Sequence, residues 1–196
     1  MGTHAFPRRF RHAAMRDYER IQRIYAHARA LMAANGNPTQ WGNTFPLEST
    51  VRRDIVEGRT MLLIDSAISS AADGGNDGNV DGAKTANGMA TERILAQFAL
   101  CPGEDPTYCE IDGSWLDDDP YVTIHRIASS GLAAHVAYDC IEWVAKQYGN
   151  VRADTHPNNK AMQHVLERSG FARCGLISLP NRGDDKIRIA YQRHDR

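Results

Sequence analysis

The chain has 196 residues, a hydrophobic content of 42% and a formal net charge of −1 at pH 7. This length suits one domain with a substantial core, and the near-neutral charge argues against nucleic acid or a membrane surface as a partner. The sequence contains no run of about 18 apolar residues, and residues 1–10 lack the apolar segment of a secretory signal. We therefore expect a flexible extension at 1–10, a single domain at 11–196 and a cytoplasmic location.

The cysteines and histidines give no sign of a metal site. The four cysteines form no C-x-x-C pair, and the eight histidines are scattered without the spacing of a ligand set. We expect reduced cysteines and no bound metal. Cys140 falls on the apolar face of a predicted helix, which favours a buried structural thiol over a nucleophile.

The first third of the chain predicts a short strand at 10–14, a helix at 15–34, a second helix at 47–57 and a strand at 61–64. The apolar face of the first helix is formed by Ile21, Ile24, Tyr25, Ala28, Leu31 and Met32. The second helix is predicted to turn Val51, Ile55 and Val56 inward.

A polar excursion interrupts the predicted sheet. Residues 65–91 are rich in Ala, Gly, Asn, Asp and Ser, a composition that buries too little apolar area to offset its ordering entropy. We expect a flexible insertion at the tip of a hairpin whose second arm is 94–100; the alternative is a substrate lid. A loop at 101–120 and strands at 171–177 and 187–192 complete the pattern.

The stretch 121–171 organises the rest of the chain. A strand at 121–127 leads through a small-residue turn into a helix that Gly149 ends, and a strand at 151–155 leads into a helix that Asn158 can cap. Strand, crossover helix and strand of this length predict a right-handed parallel βαβ unit.

The turn between Ser129 and Ala137 can act as an anion site. Its side chains are mostly small, and the first N–H groups of the following helix have no partner within the helix and lie at the positive end of its dipole. Phosphate or pyrophosphate is the ligand that such a helix start suits best. The alternative is an ordinary strand–helix connection.

With these residues the chain resembles the Gcn5-related N-acetyltransferases (GNAT). The small-residue turn resembles the family's pyrophosphate loop, Arg/Gln-x-x-Gly-x-Gly/Ala, and Asn159 to Phe171 resembles its second CoA-contacting helix. Two registers fit the loop: Ala128, Gly131 and Ala133, or Leu132, His135 and Ala137. We prefer the second, which starts the helix correctly but puts His135 at a usual glycine.

The resemblance implies a mixed α/β fold, a GNAT-like sheet of about seven strands flanked by about four helices. It also implies direct transfer of an acetyl group from acetyl-CoA to a primary amine of a small molecule or peptide in a ternary complex. The predicted cofactor-binding residues are Ile127, Ala128, Ser129, Leu132, Ala133, Ala134, His135, Val136, Ala137 and Asn159. Helix capping is the alternative role of Asn159.

The acceptor amine must lose a proton, so a base is required. The candidates are His125, on the central strand and on the same face as Ile127, and the loop carboxylates Glu110 and Asp112. Their alternative roles are a core histidine and solvated carboxylates. The family's usual tyrosine acid is replaced by Leu166, for which Tyr138, Cys140 or solvent could substitute.

Aromatic residues near carboxylates suit a cationic amine. The predicted acceptor pocket draws on Gln40, Trp41, Phe45, Tyr108 and Trp115. Two other functions stay open: a CoA-binding regulatory or sensor domain without catalysis, and a transferase of a longer acyl group, which would need a roomier channel beside Val136 and Cys140. Either a monomer or a homodimer is compatible with the sequence.

Overall fold

The computed structural model describes residues 7–68, 90–180 and 182–195. Their four α-helices are α1 (Tyr18–Ala34), α2 (Glu48–Val56), α3 (Val136–Tyr148) and α4 (Lys160–Arg168). Their eight strands are β1 (Arg9–His12), β2 (Thr60–Ile68), β3 (Ala90–Pro102), β4 (Asp112–Gly113), β5 (Val122–Ser129), β6 (Asn150–Thr155), β7 (Ala172–Ser178) and β8 (Ile187–His194).

The strands form one mixed sheet in the order β1-β2-β3-β5-β6-β8-β7-β4. The mixed α/β class and the four helices are confirmed, and the sheet has one strand more than the seven expected. The additional strand is β4, which has two residues and lies within the loop predicted at 101–120. It pairs with β7.

The parallel pair β5–β6 is short and opens toward one end. Its register runs from Val122 opposite Val151 to Ile124 opposite Ala153 and stops there. Because β5 continues to Ser129, its last five residues have an edge without a strand partner on the β6 side. This opening places backbone and side-chain groups of β5 at the surface of a cleft.

Helices cover both faces of the sheet. On one face α3 buries Cys140, Ile141 and Val144 against β3, β5 and β6. On the other face the helices α1 and α2 pack on β2 and β3 through a second core cluster that contains Ile21, Tyr25, Ala28, Val51, Ile55, Leu62 and Ile64. Of the helices in the described ranges, none has the length and apolar character needed for a membrane crossing.

Two residues predicted to face the core are exposed. Leu31 is 52% exposed and Val56 is 75% exposed. Leu31 lies in the last turn of α1, and Val56 is the last residue of α2, about 100° around the helix axis from the buried Ile55. A periodic apolar pattern therefore predicts too many buried residues when it is continued to the end of a helix.

Of the two residues considered as the cap of α4, the structure has the second, which confirms the alternative capping role of Asn159. Asn159, not Asn158, is the N-cap, and its Oδ1 accepts a hydrogen bond from the Met162 backbone N–H at 3.1 Å. Asn158 belongs to the preceding turn, where its N–H donates to His156 Nδ1 at 3.0 Å.

The strand ends define some borders of the two segments predicted to be flexible, residues 1–10 and 65–91. β1 begins at Arg9, so it overlaps the expected N-terminal extension by two residues. β2 reaches Ile68 and β3 begins at Ala90, so both hairpin arms are longer than predicted. The remainder of the predicted insertion, residues 69–89, lies outside the described residues.

Candidate active site

A bulge in β5 shapes the cleft. Arg126 has a positive φ of 54°, and the pairing with β3 shifts between Gln97 and Ala99 at this point. The carbonyl oxygen of Arg126 accepts a hydrogen bond from Gln97 Nε2 at 2.9 Å. Because the bulge interrupts the alternation, Ile127 packs against the same core cluster as Ile124, and the prediction that it shares a face with His125 is wrong.

The start of α3 leaves a row of backbone donors free. Among the described residues, no hydrogen bond uses the N–H groups of residues 133–138. His135 precedes the helix in the left-handed conformation, with φ 61° and ψ 11°. This is a conformation that glycine adopts readily, and α3 begins at Val136, as the Leu132–His135–Ala137 register requires. The arrangement suits an anion.

These donors border a groove of about 630 Å³, called here the outer groove. It lies between the start of α3 and the side of α4, and it is lined by Ser129, Ala133, His135, Val136, Ala137, Tyr138, His164, Val165 and Arg168. Five predicted cofactor-binding residues are among them. Arg168 adds a cation that the sequence analysis did not assign.

The other predicted cofactor-binding residues lie elsewhere. The side chain of Ala128 is buried in the core cluster of α1 and α2, because it points to the opposite face of the sheet. Leu132 and Ala134 are exposed and do not line the outer groove. Ile127 and Asn159 line a second cavity, which follows the open side of β5.

This second cavity, called here the inner cavity, has a volume of about 290 Å³. It is bordered by the α1–α2 connection, the end of β6, α4 and the β7–β8 connection. Of the predicted acceptor residues, Gln40, Trp41 and Phe45 line it. Gln40 Oε1 accepts a hydrogen bond from Asn159 Nδ2 at 2.9 Å, which joins the α1–α2 connection to the start of α4.

His125 lies in the inner cavity beside two carboxylates. Its Nε2 is 2.7 Å from Asp105 Oδ2, and its Nδ1 is 3.9 Å from Asp154 Oδ1. All three side chains line the cavity and are largely buried. Because a carboxylate can only accept, Nε2 carries a proton and Nδ1 of a neutral ring is the acceptor.

Asp105 is held as an anion. Burial disfavours its charged form, but hydrogen bonds from His125 and from Thr107 outweigh this and lower the pKa of Asp105. Thr107 contributes both its backbone N–H at 2.8 Å and its hydroxyl at 2.6 Å to Asp105 Oδ1. Asp105 caps the 3₁₀ turn Pro106–Tyr108, so the turn holds the carboxylate in place. The carboxylate in turn orients His125.

The second carboxylate is oriented by Tyr108. The Tyr108 hydroxyl donates to Asp154 Oδ1 at 2.8 Å. Burial, followed by the Asp154 charge, raises the pKa of Tyr108 well above its ordinary value, so the hydroxyl keeps its proton. Tyr108 was predicted to line the acceptor pocket; it lies behind Asp154 and outside the cavity lining.

Three further predicted residues lie away from the inner cavity. Glu110 and Asp112 are exposed and line neither the cavity nor the groove, since β4 holds them near β7. Trp115 packs under the Arg152 guanidinium at 4.1 Å and donates from Nε1 to the Tyr108 carbonyl. Its contacts stabilise the loop that carries Tyr108.

The position of the family's usual tyrosine is occupied by an apolar side chain. Leu166 is 1% exposed and lines the inner cavity. Cys140, one proposed substitute acid, is fully buried in the α3 core, and burial raises the pKa of its thiol. Tyr138 lines the outer groove and is partly exposed.

Two further arginines line the inner cavity, Arg182 from the β7–β8 connection and Arg188 from the start of β8. Arg182 lies over the Phe45 ring, with its Cζ 3.4 Å from the ring centroid, and donates to the Gln40 carbonyl at 3.3 Å. Arg188 is 1% exposed. Burial lowers the pKa of both guanidinium groups, and the nearby Arg188 charge lowers that of Arg182 further.

Sequence reasoning missed Asp105, Asp154, Arg182 and Arg188. Two signals point to the carboxylates. Asp-Pro-Thr at 105–107 is a helix-cap pattern, and Asp154 is the one acidic residue of the otherwise mostly buried strand β6. Arg182 stands in a polar turn and Arg188 at the start of β8, and neither carries a local signal.

A further group of acidic residues lies beside the start of β6 and the end of β8. Oxygen and nitrogen atoms of Asp117, Asp119 and His194 lie within 4.8 Å of one another. Asp117 accepts hydrogen bonds from Asn150, Gln192 and His194, so it connects its loop to β6 and β8. These residues line neither the groove nor the inner cavity.

The fold and the site define a class. A parallel strand pair that opens beside a helix start with free amides, in a sheet of this order, is the fold of the GNAT acetyltransferases, which are acyltransferases. The predicted resemblance is confirmed at the level of the fold by solved structures. No protein-family model matches the chain, and no curated protein sequence matches it.

Three solved structures illustrate the similarity. A GNAT-family acetyltransferase from Streptococcus agalactiae is 25% identical, covers 98% of both chains and has a TM-score of 0.74. A GNAT-family acetyltransferase from Listeria monocytogenes is 15% identical over 99% of this chain and 98% of the other, with a TM-score of 0.62. A phosphinothricin acetyltransferase from Sinorhizobium meliloti, in complex with AcCoA, is 12% identical over 95% and 88%, with a TM-score of 0.54.

Proposed function

We propose that this protein is an acetyl-CoA-dependent N-acetyltransferase that acetylates a primary amine by direct attack in a ternary complex. The observation that carries the proposal is the position of His125. It lies on β5 where the pairing with β6 has stopped, and it lines the inner cavity together with two carboxylates, while the same strand reaches the outer groove at Ser129.

The outer groove is the proposed cofactor site. The unpaired N–H groups of residues 133–138 bind the diphosphate, and Arg168 adds a positive charge nearby. The pantetheine arm pairs with the open edge of β5, which places the thioester beside the bulge. A backbone N–H there can polarise the thioester carbonyl, a role worth about 3–4 kcal/mol in other enzymes.

The inner cavity is the proposed acceptor site. Asp154 attracts the ammonium form of the acceptor, and Nδ1 of His125 takes its proton while Asp105 stabilises the resulting imidazolium. The free amine then attacks the thioester carbon and the carbon–sulfur bond breaks. The proton that the attacking nitrogen loses passes through solvent to the departing thiolate, which releases CoA. A volume of about 290 Å³ suits a small amine better than a long peptide.

A CoA-binding protein without catalysis is the second candidate. The observation that favours it is Leu166, an apolar residue where a proton donor to the thiolate is usual. Both candidates require saturable binding of acetyl-CoA, and only the first requires turnover.

The test combines calorimetry with a thiol-release assay on a panel of polyamines, aminoglycosides, amino acids and peptides. An enzyme binds acetyl-CoA and releases CoA with at least one of these acceptors. Binding without turnover favours the second candidate, and no binding at millimolar acetyl-CoA contradicts both.

A further inference from the structure

An arginine of the inner cavity has a donor that nothing satisfies. Arg188 Nη1 donates to the carbonyl oxygens of Asp185 and Ile187, both at 2.8 Å. Its Nη2 is buried and, within the described residues, has no hydrogen-bond partner. A buried charged donor without a partner is costly, so the site gains stability when a ligand supplies an acceptor.

The neighbouring carboxylate does not remove this need. Asp185 Oδ1 is 3.7 Å from Arg188 Nη1 and lies 2.5 Å from His156 Nε2, so it is shared with the histidine. Arg126, a third arginine of the cavity lining, is different. Its Nε is also buried without a hydrogen-bond partner among the described residues, but its Nη2 is paired with the buried Asp54 at 2.7 Å, which compensates its charge.

Arg182 provides a second cation in the same cavity. The ring of Phe45 and the Gln40 carbonyl hold it, and its guanidinium has no carboxylate partner among the described residues. Two guanidinium groups that line one cavity favour an anion as its ligand. A carboxylate matches the flat fork of an arginine with two parallel hydrogen bonds.

The cavity therefore carries both signs of charge. Asp105 and Asp154 lie beside His125, while Arg182 comes from the β7–β8 connection and Arg188 from the start of β8. We propose that the acceptor is a small amine that also bears a carboxylate, such as a free amino acid, and that Arg188 and Arg182 bind this carboxylate. The inference rests on the proposed function, which supplies the amine and its position near His125.

The test compares the twenty common L-amino acids with their α-carboxamides in the thiol-release assay. The amide keeps the amine and the side chain and replaces the negatively charged carboxylate with a neutral group. We expect kcat/KM to be about 10- to 100-fold higher for the preferred acid than for its amide, the worth of a charged hydrogen-bond pair. Equal values for acid and amide would overturn the inference.

Variants identify the residues responsible. Arg188→Gln and Arg182→Gln are each expected to lower kcat/KM for the acid at least about tenfold and to leave the amide nearly unchanged. Arg173→Gln, an exposed arginine on β7, is the control and changes neither. Arg188→Lys is the substitute if Arg188→Gln does not fold. A variant that lowers acid and amide equally contradicts the assigned role.

A binding measurement separates this inference from the proposed function. If CoA binds but no acceptor turns over, the proposed enzymatic function is contradicted. The carboxylate site is then tested by calorimetry, with amino acids and their amides titrated into the CoA-saturated protein. Tighter binding of at least one acid than of its amide, lost in Arg182→Gln, supports it. Equal binding of acids and amides, or no binding by any acid, overturns it.

Discussion

His125 Nε2 and Asp105 Oδ2 lie 2.7 Å apart, although the two residues belong to different elements. Asp105 caps a 3₁₀ turn in a loop, and His125 lies on the central strand next to a bulge. The contact orients the imidazole so that Nδ1 faces Asp154 and the inner cavity. In the proposed reaction His125 acts as the base, and the negative charge of Asp105 balances the positive charge that the imidazole gains with the proton.

Replacement of the base tests its role directly. We expect His125→Gln to lower kcat about 10²- to 10⁴-fold, the range of general-base catalysis, with little change in acetyl-CoA affinity. Steady-state kinetics and calorimetry measure the two quantities. Asp112→Asn, at an exposed residue first considered as a base, is the control and should keep full activity. If Asp112→Asn is the variant that loses activity, the assignment is wrong.

Asp105 gives a prediction about pH and stability. Its pKa is lower in the folded protein than the ordinary value of about 3.9, so its charge stabilises the fold above that pH and less as pH falls below it. We expect Asp105→Asn to be less stable than the natural chain near pH 7, with a difference that shrinks below about pH 4. Denaturant unfolding at several pH values measures this; a difference that grows in acid contradicts the role of the hydrogen bonds that Asp105 accepts from His125 and Thr107.

The anion site at α3 predicts an effect of charge at His135. We expect His135→Glu to weaken acetyl-CoA binding about tenfold relative to His135→Gln, because a carboxylate at the helix start repels the diphosphate. Because glutamine and glutamate have nearly the same shape, the comparison measures the effect of the negative charge alone. The difference should decrease at high salt. Equal affinity of the two variants would favour the other loop register.

Leu166 predicts a structural effect. Leu166→Ala removes a side chain that is 1% exposed, and we expect a loss of about 2–4 kcal/mol in the free energy of unfolding. Leu31→Ala, at a helix position that is 52% exposed, should change it by less than about 0.5 kcal/mol. Chemical denaturation compares them. Similar losses of unfolding free energy in the two variants would contradict the burial of Leu166.

Local patterns were enough to predict much of the fold. The strand–turn–helix order of 121–171 depends on neighbouring residues, and α3 begins at Val136 as its apolar face indicates. The bulge at Arg126 could not be predicted, because it depends on pairing with β3, about 30 residues earlier in the chain. It reverses the face of every later residue of β5, which explains the wrong placement of Ile127.

The site was harder to predict than the fold for the same reason. His125 was identified because it is polar in a buried strand. Its partners Asp105 and Asp154 come from a loop and from another strand, so only the folded chain brings them together. Arg188 looks like a surface arginine in the sequence, and only its burial at the start of β8 distinguishes it.

The most direct test of the account is a crystal structure of the protein with bound CoA. We expect the diphosphate oxygens within about 3 Å of the N–H groups of residues 133–138, with the sulfur near the open edge of β5 and facing His125. Density that places the nucleotide away from the start of α3, or the sulfur outside the cleft between β5 and β6, would contradict it.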